Sequence, residues 1–215
     1  MRENPRIGAL KGWVQEQHLD DAIIKKYTKE FQSNTPFPHL LFKNFLLPKQ
    51  VEFLIKALEK IPFEAKDSDL FSLKQTKDLR TSNHVALSSF YTMLTSAYLQ
   101  KYLQEITGIP KLKPAVDIAG LMFEKYDYLL PHDDYLDHRK IAYILYLSSS
   151  LSAKEGGALE FFSVNKENVP QKIIKSYPPL ENSFMIFKVT RQSHHQVTEM
   201  LSDKKRITLG GWFHG

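Results

Sequence analysis

Residues 131–147 read PHDDYLDHRKIAYILYL, a polar turn rich in histidine and aspartate that leads into an apolar segment. Residues 141–147 are apolar on both faces, which is typical of a central strand buried between two layers. In an extended backbone the side chains at i and i+2 point to the same face, so His132 and Asp134 can converge on one point. The stretch therefore predicts a buried strand with a candidate pair of ligands just before it.

Other short apolar segments, separated by turns, accompany this strand in the second half of the chain. They are residues 116–123, 158–162, 183–189 and 206–213. Gly156-Gly157 provides a turn signal before the second of them. Because no helical stretch separates these segments, the pattern indicates an antiparallel sandwich or barrel rather than parallel βαβ units.

The first half of the chain has helical periodicity. Apolar residues recur at about every fourth position over residues 19–31 and again over 51–58, where Pro48 suits the first turn of a helix. The spacing predicts a longer helix over residues 88–107, closed by Gly108. Helices first and strands afterwards define an α+β protein.

The polar segment between the second and third helices, residues 66–82, has weak periodicity and predicts a loop. Such a loop is either a plain connector or a mobile lid that covers a substrate. The helical part then spans about residues 15–110 and the barrel strands about residues 115–215.

Length and composition restrict the class of protein. A chain of 215 residues with 42% hydrophobic and 25% charged residues predicts one folded domain over 1–215 and excludes a largely disordered chain. The absence of cysteine excludes disulfide scaffolds, zinc ribbons, iron–sulfur clusters and thiol nucleophiles. Any metal must therefore be held by oxygen ligands or by the eight histidines.

The chain is mildly basic, with 29 Lys and Arg against 24 Asp and Glu and a net charge of +5. This charge favours an acidic partner such as the ribosome or RNA, although a soluble lysine-rich surface explains it equally well. No apolar run is long enough to span a membrane, and residues 1–5 lack the apolar core of a signal peptide. We therefore expect a cytoplasmic protein, also present in the nucleus if the organism is eukaryotic.

A second histidine from a distant strand would complete a face of two histidines and one carboxylate around a metal ion. Such a face leaves three octahedral positions open, as in the non-haem Fe(II) oxygenases. His194 and His195 are the candidates, and only one can bind because neighbouring strand residues face opposite ways. The H-x-D motif alone is also compatible with a solvated acidic turn or a loose calcium loop, and a strand-end histidine is often purely structural.

Arg206 lies eleven residues beyond His195, at the start of the last apolar segment. An oxygenase that consumes 2-oxoglutarate must anchor its far carboxylate deep in the barrel, and a buried arginine offers a bidentate fork for it. Tyr146, on the strand after the H-x-D motif, could hydrogen-bond to the same carboxylate. The alternatives are a surface cation for Arg206 and a core tyrosine for Tyr146.

Together these motifs resemble the prolyl-hydroxylase family of 2-oxoglutarate- and iron-dependent oxygenases. The segments that carry the resemblance are residues 132–147, 156–157, 195–197 and 211–215. Within the family the chain is most similar to the catalytic domain of ribosomal prolyl hydroxylases, which act on a small-subunit protein of the decoding centre. The similarity extends from about residue 35 onward.

The resemblance implies a double-stranded β-helix, or jelly-roll barrel, with the N-terminal helices packed on one side. It implies an Fe(II) site of His132, Asp134 and His195, where the H-Q-V match selects His195 over His194. The residues that match the 2-oxoglutarate site are Arg206, Tyr146 and Tyr126. Fe(II), 2-oxoglutarate and O2 are the expected cofactors and co-substrates, and ascorbate is a further expectation.

The implied activity is hydroxylation of a prolyl residue in a protein substrate, with a small-subunit ribosomal protein as the expected partner. One alternative is an oxygenase of the same fold that acts on a lysyl, small-molecule or nucleobase target. Another is a catalytically silent barrel that serves as a binding module in a translation or RNA complex. Many eukaryotic members continue into a second barrel, so we expect either a single-domain member or one domain of a longer protein.

Overall fold

The computed structural model describes residues 10–215, so the expectation for residues 1–5 lies outside the described part. Four α-helices occur within that part: α1 (Asp21–Ser33), α2 (Pro48–Leu58), α3 (Val85–Thr95) and α4 (Ala97–Thr107). The first strands are β1 (His39–Phe42), β2 (Glu64–Ser68), β3 (Phe71–Gln75), β4 (Ala119–Phe123) and β5 (Tyr128–His132). The remaining strands are β6 (Arg139–Tyr146), β7 (Leu159–Val164), β8 (Pro170–Tyr177), β9 (Phe184–Lys188), β10 (His195–Val197) and β11 (Arg206–His214).

The strands form one curled antiparallel sheet with the order β1-β9-β6-β11-β4-β3-β5-β10-β7-β8, and β2 pairs with β3. The sheet curls at β3, which pairs with β4 through Lys74 and Gln75 and with β5 through Phe71 and Ser72. The prediction of antiparallel pairing is confirmed. The curl brings β5 and β10 opposite β6 and β11 and encloses the barrel interior.

Alternation along β6 explains why this strand is apolar on both faces. Ile141, Tyr143 and Leu145 belong to the core shared with the helices, whereas Ala142 and Tyr146 belong to the core inside the barrel. The neighbouring strand β9 divides its side chains between the two cores in the same way. The helices therefore pack against one side of the sheet, and the other side is left to line the interior.

Local signals set the helix boundaries. Asp20 caps α1 by accepting a hydrogen bond from the N–H of Ala22 at 2.8 Å, and α2 begins at Pro48 as predicted. The single helix predicted over 88–107 is wrong, because the chain breaks into α3 and α4 at Ser96. The Ser96 hydroxyl accepts from the N–H of Leu99 and begins a new helix. None of the helices in the described part is long and apolar enough to cross a membrane.

The prediction of a loop over residues 66–82 is also wrong for its first part, where β2 and β3 form a hairpin. Every residue of β2 is exposed, so no buried alternation marks it as a strand. Strand β1 was missed as well, and β1, β2 and β3 all lie within the part of the chain expected to be helical. The two strands of the hairpin pair with each other and extend the barrel wall at β3.

Candidate active site

Three side chains that sequence patterns assign to a metal lie together at one end of the barrel. His132 ends β5, His195 begins β10, and the two residues are directly paired across these strands. Asp134 follows in the turn after β5, with its Oδ1 3.5 Å from Nε2 of His132 and its Oδ2 3.4 Å from Nε2 of His195. One ligand atom from each residue lies within 4.8 Å of the others, and no other such group occurs among residues 10–215.

Backbone carbonyls fix the tautomer of both histidines. Nδ1 of His132 lies 2.9 Å from the carbonyl of Leu130, and Nδ1 of His195 lies 2.8 Å from that of Ser193. A carbonyl can only accept, so Nδ1 of each ring carries a proton and Nε2, which faces Asp134, is the nitrogen available to a metal ion. This is the arrangement by which histidine binds a metal ion.

Electrostatics favour the protonation states that a metal requires. Burial and the neighbouring His195 lower the pKa of His132 to about 4, so this ring is neutral at physiological pH. Burial alone would raise the pKa of the Asp134 carboxyl, but His195, His132 and the Trp212 indole outweigh it and hold that pKa below its usual value. A neutral imidazole beside an ionised carboxylate can bind a divalent cation without first losing a proton.

The other acidic residues of the turn have different partners. Oδ1 of Asp133 accepts a hydrogen bond from the N–H of Tyr135 at 2.9 Å, and Oδ1 of Asp137 accepts one from the Tyr135 hydroxyl at 2.8 Å. A calcium loop would need these carboxylates to converge. They stabilise the turn instead, which holds Asp134 at φ +60°.

A cavity of about 430 Å³ extends into the barrel from the three ligands. Arg206 lines it, is 1% exposed, and has Nε and Nη2 buried without a hydrogen-bond partner. Its Cζ lies 4.9 Å from the ring centre of Phe123 and 5.0 Å from that of Tyr146. Burial lowers its pKa, and no carboxylate among residues 10–215 forms an ion pair with it. The interior thus contains a cation with two donor nitrogens, Nε and Nη2, that have no acceptor among residues 10–215.

Two further buried oxygens near this cation lack partners. The Tyr146 hydroxyl is one of them, and the Thr208 hydroxyl, on the same face of β11 as Arg206, is the other. Thr208 was not among the predicted site residues, although its i+2 spacing from Arg206 places both side chains on one face of the strand. A group with several acceptor oxygens would satisfy all three side chains at once.

The structure does not bring Tyr126 or His194 to the cavity. Tyr126 lies in the turn between β4 and β5 at φ +76°, with 65% of the residue exposed. The backbone geometry of that turn directs its ring to solvent rather than into the barrel. His194 precedes β10, and its carbonyl accepts a hydrogen bond from the N–H of Phe162, so His195 alone joins the metal-binding group.

The comparisons with known proteins agree with this geometry. A family model described as the 2OG-Fe(II) oxygenase superfamily matches residues 118–214, which contain the three ligands and Arg206. A prolyl 3-hydroxylase of Xenopus laevis, OGFOD1, is 36% identical over 216 residues, covering 96% of this chain and 42% of the relative. This chain carries a 2OG-Fe(II) oxygenase domain over the matched residues. It spans less than half the length of the curated relatives that it matches.

Solved structures of oxygenases share the fold of this chain. A Pseudomonas putida prolyl-4-hydroxylase aligns with a TM-score of 0.64 at 15% identity, covering 87% of this chain and 98% of the other. The α-ketoglutarate-dependent epimerase SnoN aligns at 0.68 with 12% identity, covering 91% and 84% of the two chains. The predicted jelly-roll barrel is thereby confirmed. The match to the 2OG-Fe(II) oxygenase model and the group of His132, Asp134 and His195 support Fe(II) and 2-oxoglutarate as the cofactor and co-substrate. The expected need for ascorbate stays a prediction.

Proposed function

We propose that this chain is a dioxygenase that uses Fe(II) and 2-oxoglutarate to hydroxylate a prolyl residue of a protein, and that its protein substrate is a small-subunit ribosomal protein. The observation that carries the proposal is the buried Arg206, without an acceptor, in the same cavity as His132, Asp134 and His195. A metal face and a carboxylate anchor on one cavity are what the co-substrate requires at its two ends.

Each of the three side chains would offer one ligand atom to the metal ion. Nε2 of His132 and Nε2 of His195 would hold Fe(II), and Asp134 would add one carboxylate oxygen. Because β5 and β10 are paired at these two histidines, the hydrogen bonds of the sheet set the spacing of the rings. The face they form covers one side of the ion and leaves the other side open to the cavity.

At the other end, Arg206, Thr208 and Tyr146 would donate hydrogen bonds to the carboxylate of 2-oxoglutarate far from the metal. Each of these three residues has a buried polar atom that lacks a partner among residues 10–215. A bidentate pair with Arg206 supplies both charge compensation and direction. The exposed Tyr126 has no part in this proposal.

With Fe(II), 2-oxoglutarate and dioxygen bound, the centre would supply oxidative decarboxylation of the keto acid to succinate and carbon dioxide, with one oxygen atom of dioxygen going to succinate and the other to a carbon of the proline ring. The protein orients the reactants and keeps water away from them. Leu129, Leu159, Phe187 and Val197 supply apolar walls around the ligands. Such walls limit side reactions of an oxidant with solvent.

The prolyl target is inferred from the names of the relatives, and the ribosomal protein from the resemblance of residues 132–147, 156–157, 195–197 and 211–215 to ribosomal prolyl hydroxylases. The Xenopus laevis relative is named a prolyl 3-hydroxylase, and we extend that ring position to this chain. The net charge of +5 suits approach to the polyanionic ribosome. We also infer that residues 1–215 form one catalytic domain.

The β2–β3 hairpin provides a wall on which a peptide can rest. Phe71, Leu73 and Gln75 line the cavity from β3, and Lys66, directly opposite Leu73 on β2, lines it too. Directly paired residues share a face of the sheet. Glu64, Lys66 and Ser68, which pair with Gln75, Leu73 and Phe71, therefore lie beside the cavity, and all three are exposed. The lid suggested for this segment stays a prediction, now assigned to a hairpin instead of a loop.

A peptide hydroxylation assay tests the proposal. The full chain, with Fe(II) and 2-oxoglutarate, is incubated with peptides of small-subunit ribosomal proteins, and mass spectrometry locates any gain of one oxygen. We expect modification at a prolyl residue with matching formation of succinate, and none of either with H132A. Turnover that survives H132A would overturn the metal assignment, and oxygen found on lysine or on a small molecule would overturn the substrate.

A further inference from the structure

The carboxylate ligand is the member of the metal face least supported by the sheet. Asp134 lies outside the strands, in a turn at φ +60°, a conformation that few residues other than glycine adopt. The two histidines, by contrast, are paired within the sheet. Something else must therefore hold the Asp134 carboxylate in place.

Asp134 is contacted by two residues, Trp212 and Arg139, that were not among the predicted site residues. Nε1 of Trp212 on β11 donates a hydrogen bond to Oδ2 of Asp134 at 3.1 Å. Nη1 of Arg139, at the start of β6, donates to the carbonyl of Asp134 at 3.3 Å. The side chain is thus held through one oxygen, and the strained backbone is held separately.

Arg139 also holds Trp212. Its Cζ lies 3.4 Å from the centre of the indole ring, so the guanidinium is stacked on that ring. Strands β6 and β11 are adjacent, and Arg139 is paired with His214, two residues beyond Trp212. The ring lies between the guanidinium and the cavity that it lines, which prevents the indole N–H from turning away from Asp134.

The hydrogen bond from the indole limits the number of oxygens that Asp134 can give to a metal ion. Three protein atoms leave three of six octahedral positions open, which is the number that a chelating keto acid and dioxygen together require. If both carboxylate oxygens bound, one of those positions would be lost. Oδ2 is engaged by the indole, whereas Oδ1 lies 3.9 Å from Nη1 of Arg139 and has no hydrogen bond.

Building on the metal site of the proposed function, we propose that Trp212, clamped by Arg139, keeps Asp134 a one-oxygen ligand and so preserves the position that 2-oxoglutarate needs. Trp212 and Arg139 are positioning residues, since they act through Asp134. Groups that orient metal ligands from behind typically change metal affinity by about 10- to 100-fold when removed.

Cobalt titration of the full chain without oxygen tests this inference. W212F keeps an aromatic ring for Arg139 and removes only the N–H, whereas R139M keeps the N–H and removes the stacking cation. W13F is the matched control, because Trp13 packs on Phe90 among the helices. The Co(II) absorption bands, the Co(II) affinity and the 2-oxoglutarate affinity of the Co(II)-loaded proteins are measured together with the melting temperature.

We expect W212F to bind Co(II) about tenfold more weakly, with altered absorption bands before 2-oxoglutarate is added. The affinity of W212F for 2-oxoglutarate should also fall when Co(II) is saturating. R139M should lose less of both affinities, and W13F should match the wild type. If D134A abolishes Co(II) binding but W212F and R139M both keep wild-type affinities and absorption bands, this inference is overturned and the proposed metal site stands. Absence of Co(II) binding by the wild type, or wild-type binding by D134A, would overturn the proposed metal site and this inference with it.

Discussion

Replacement of Arg206 by methionine should stabilise the protein without ligand and abolish its response to 2-oxoglutarate. Arg206 is 1% exposed, and its Nε and Nη2 have no acceptor. Two unsatisfied buried donors cost about 1–3 kcal/mol each. The contacts with the rings of Phe123 and Tyr146 return about 0.5–1 kcal/mol each. Methionine is of similar length and needs no partner, so the net gain should be about 2 kcal/mol.

For a chain of this length, 1 kcal/mol corresponds to about 2–4 °C in melting temperature. R206M should therefore melt roughly 4–8 °C higher than the wild type when 2-oxoglutarate is absent. In the wild type with Mn(II), 2-oxoglutarate at 100 times its Kd should add about 2.7 kcal/mol of stability. R206M should lose this increment, because the loss of two charge-assisted hydrogen bonds, worth about 1.5–3 kcal/mol each, weakens binding by about 10² to 10⁴-fold.

The assay is thermal unfolding with Mn(II), with and without 2-oxoglutarate. Lys172→Met is the control for loss of a positive charge, since Lys172 is exposed on β8; it should stay within about 0.5 kcal/mol of the wild type and keep the full response. If R206M melted lower than the wild type and still responded to 2-oxoglutarate, both the energetic reasoning and the role of Arg206 would be refuted.

Three other predictions concern the scaffold. G156A should lose about 2 kcal/mol or more of the free energy of unfolding, measured in urea. The reason is that Gly156 has φ +77° and an added Cβ would lie 2.0 Å from the carbonyl oxygen of Glu199. Unchanged stability would contradict that backbone geometry. Burial lowers the pKa of His39 in the fold. The free energy of unfolding should therefore fall as the pH drops below about 6.5, by up to about 1.4 kcal/mol per pH unit. In urea unfolding, H39Q should lose less stability per pH unit than the wild type, and an equal slope would show that His39 is not the titrating group. S96A should lose about 1 kcal/mol by removing the cap of α4, which calorimetry can measure against S88A, a change inside α3 that removes no cap.

Sequence patterns were sufficient where a local rule decides the structure. Helical periodicity located α1 and α2, and the absence of helices between apolar segments predicted antiparallel strands. The H-x-D motif singled out His132 and Asp134 as a pair, and the structure brings them together, but Asp134 reaches the group from a turn at φ +60° and not from the extended backbone that the i+2 rule assumes. The choice of His195 over His194 came from a family motif, and the structure places His195 in the ligand group.

Patterns failed where exposure or distant contacts decide. Strands β2 and β8 are exposed along almost their whole length, so neither carries the alternation that reveals a half-buried strand. The break between α3 and α4 depends on a single hydroxyl at Ser96, which propensity alone does not distinguish from a continuous helix. Tyr126 matches a family position, yet the turn after β4 leaves it exposed.

The sequence by itself determined the chemistry that is available to this protein: no thiols, an H-x-D pair, a later histidine and an arginine at the head of the last strand. Only the tertiary structure decided which residues hold that chemistry in place. Trp212 meets Asp134 across 78 positions of the chain, and this contact exists only because β11 lies beside β6 in the closed barrel. Strand register sets such contacts, and no local pattern encodes the register between distant strands.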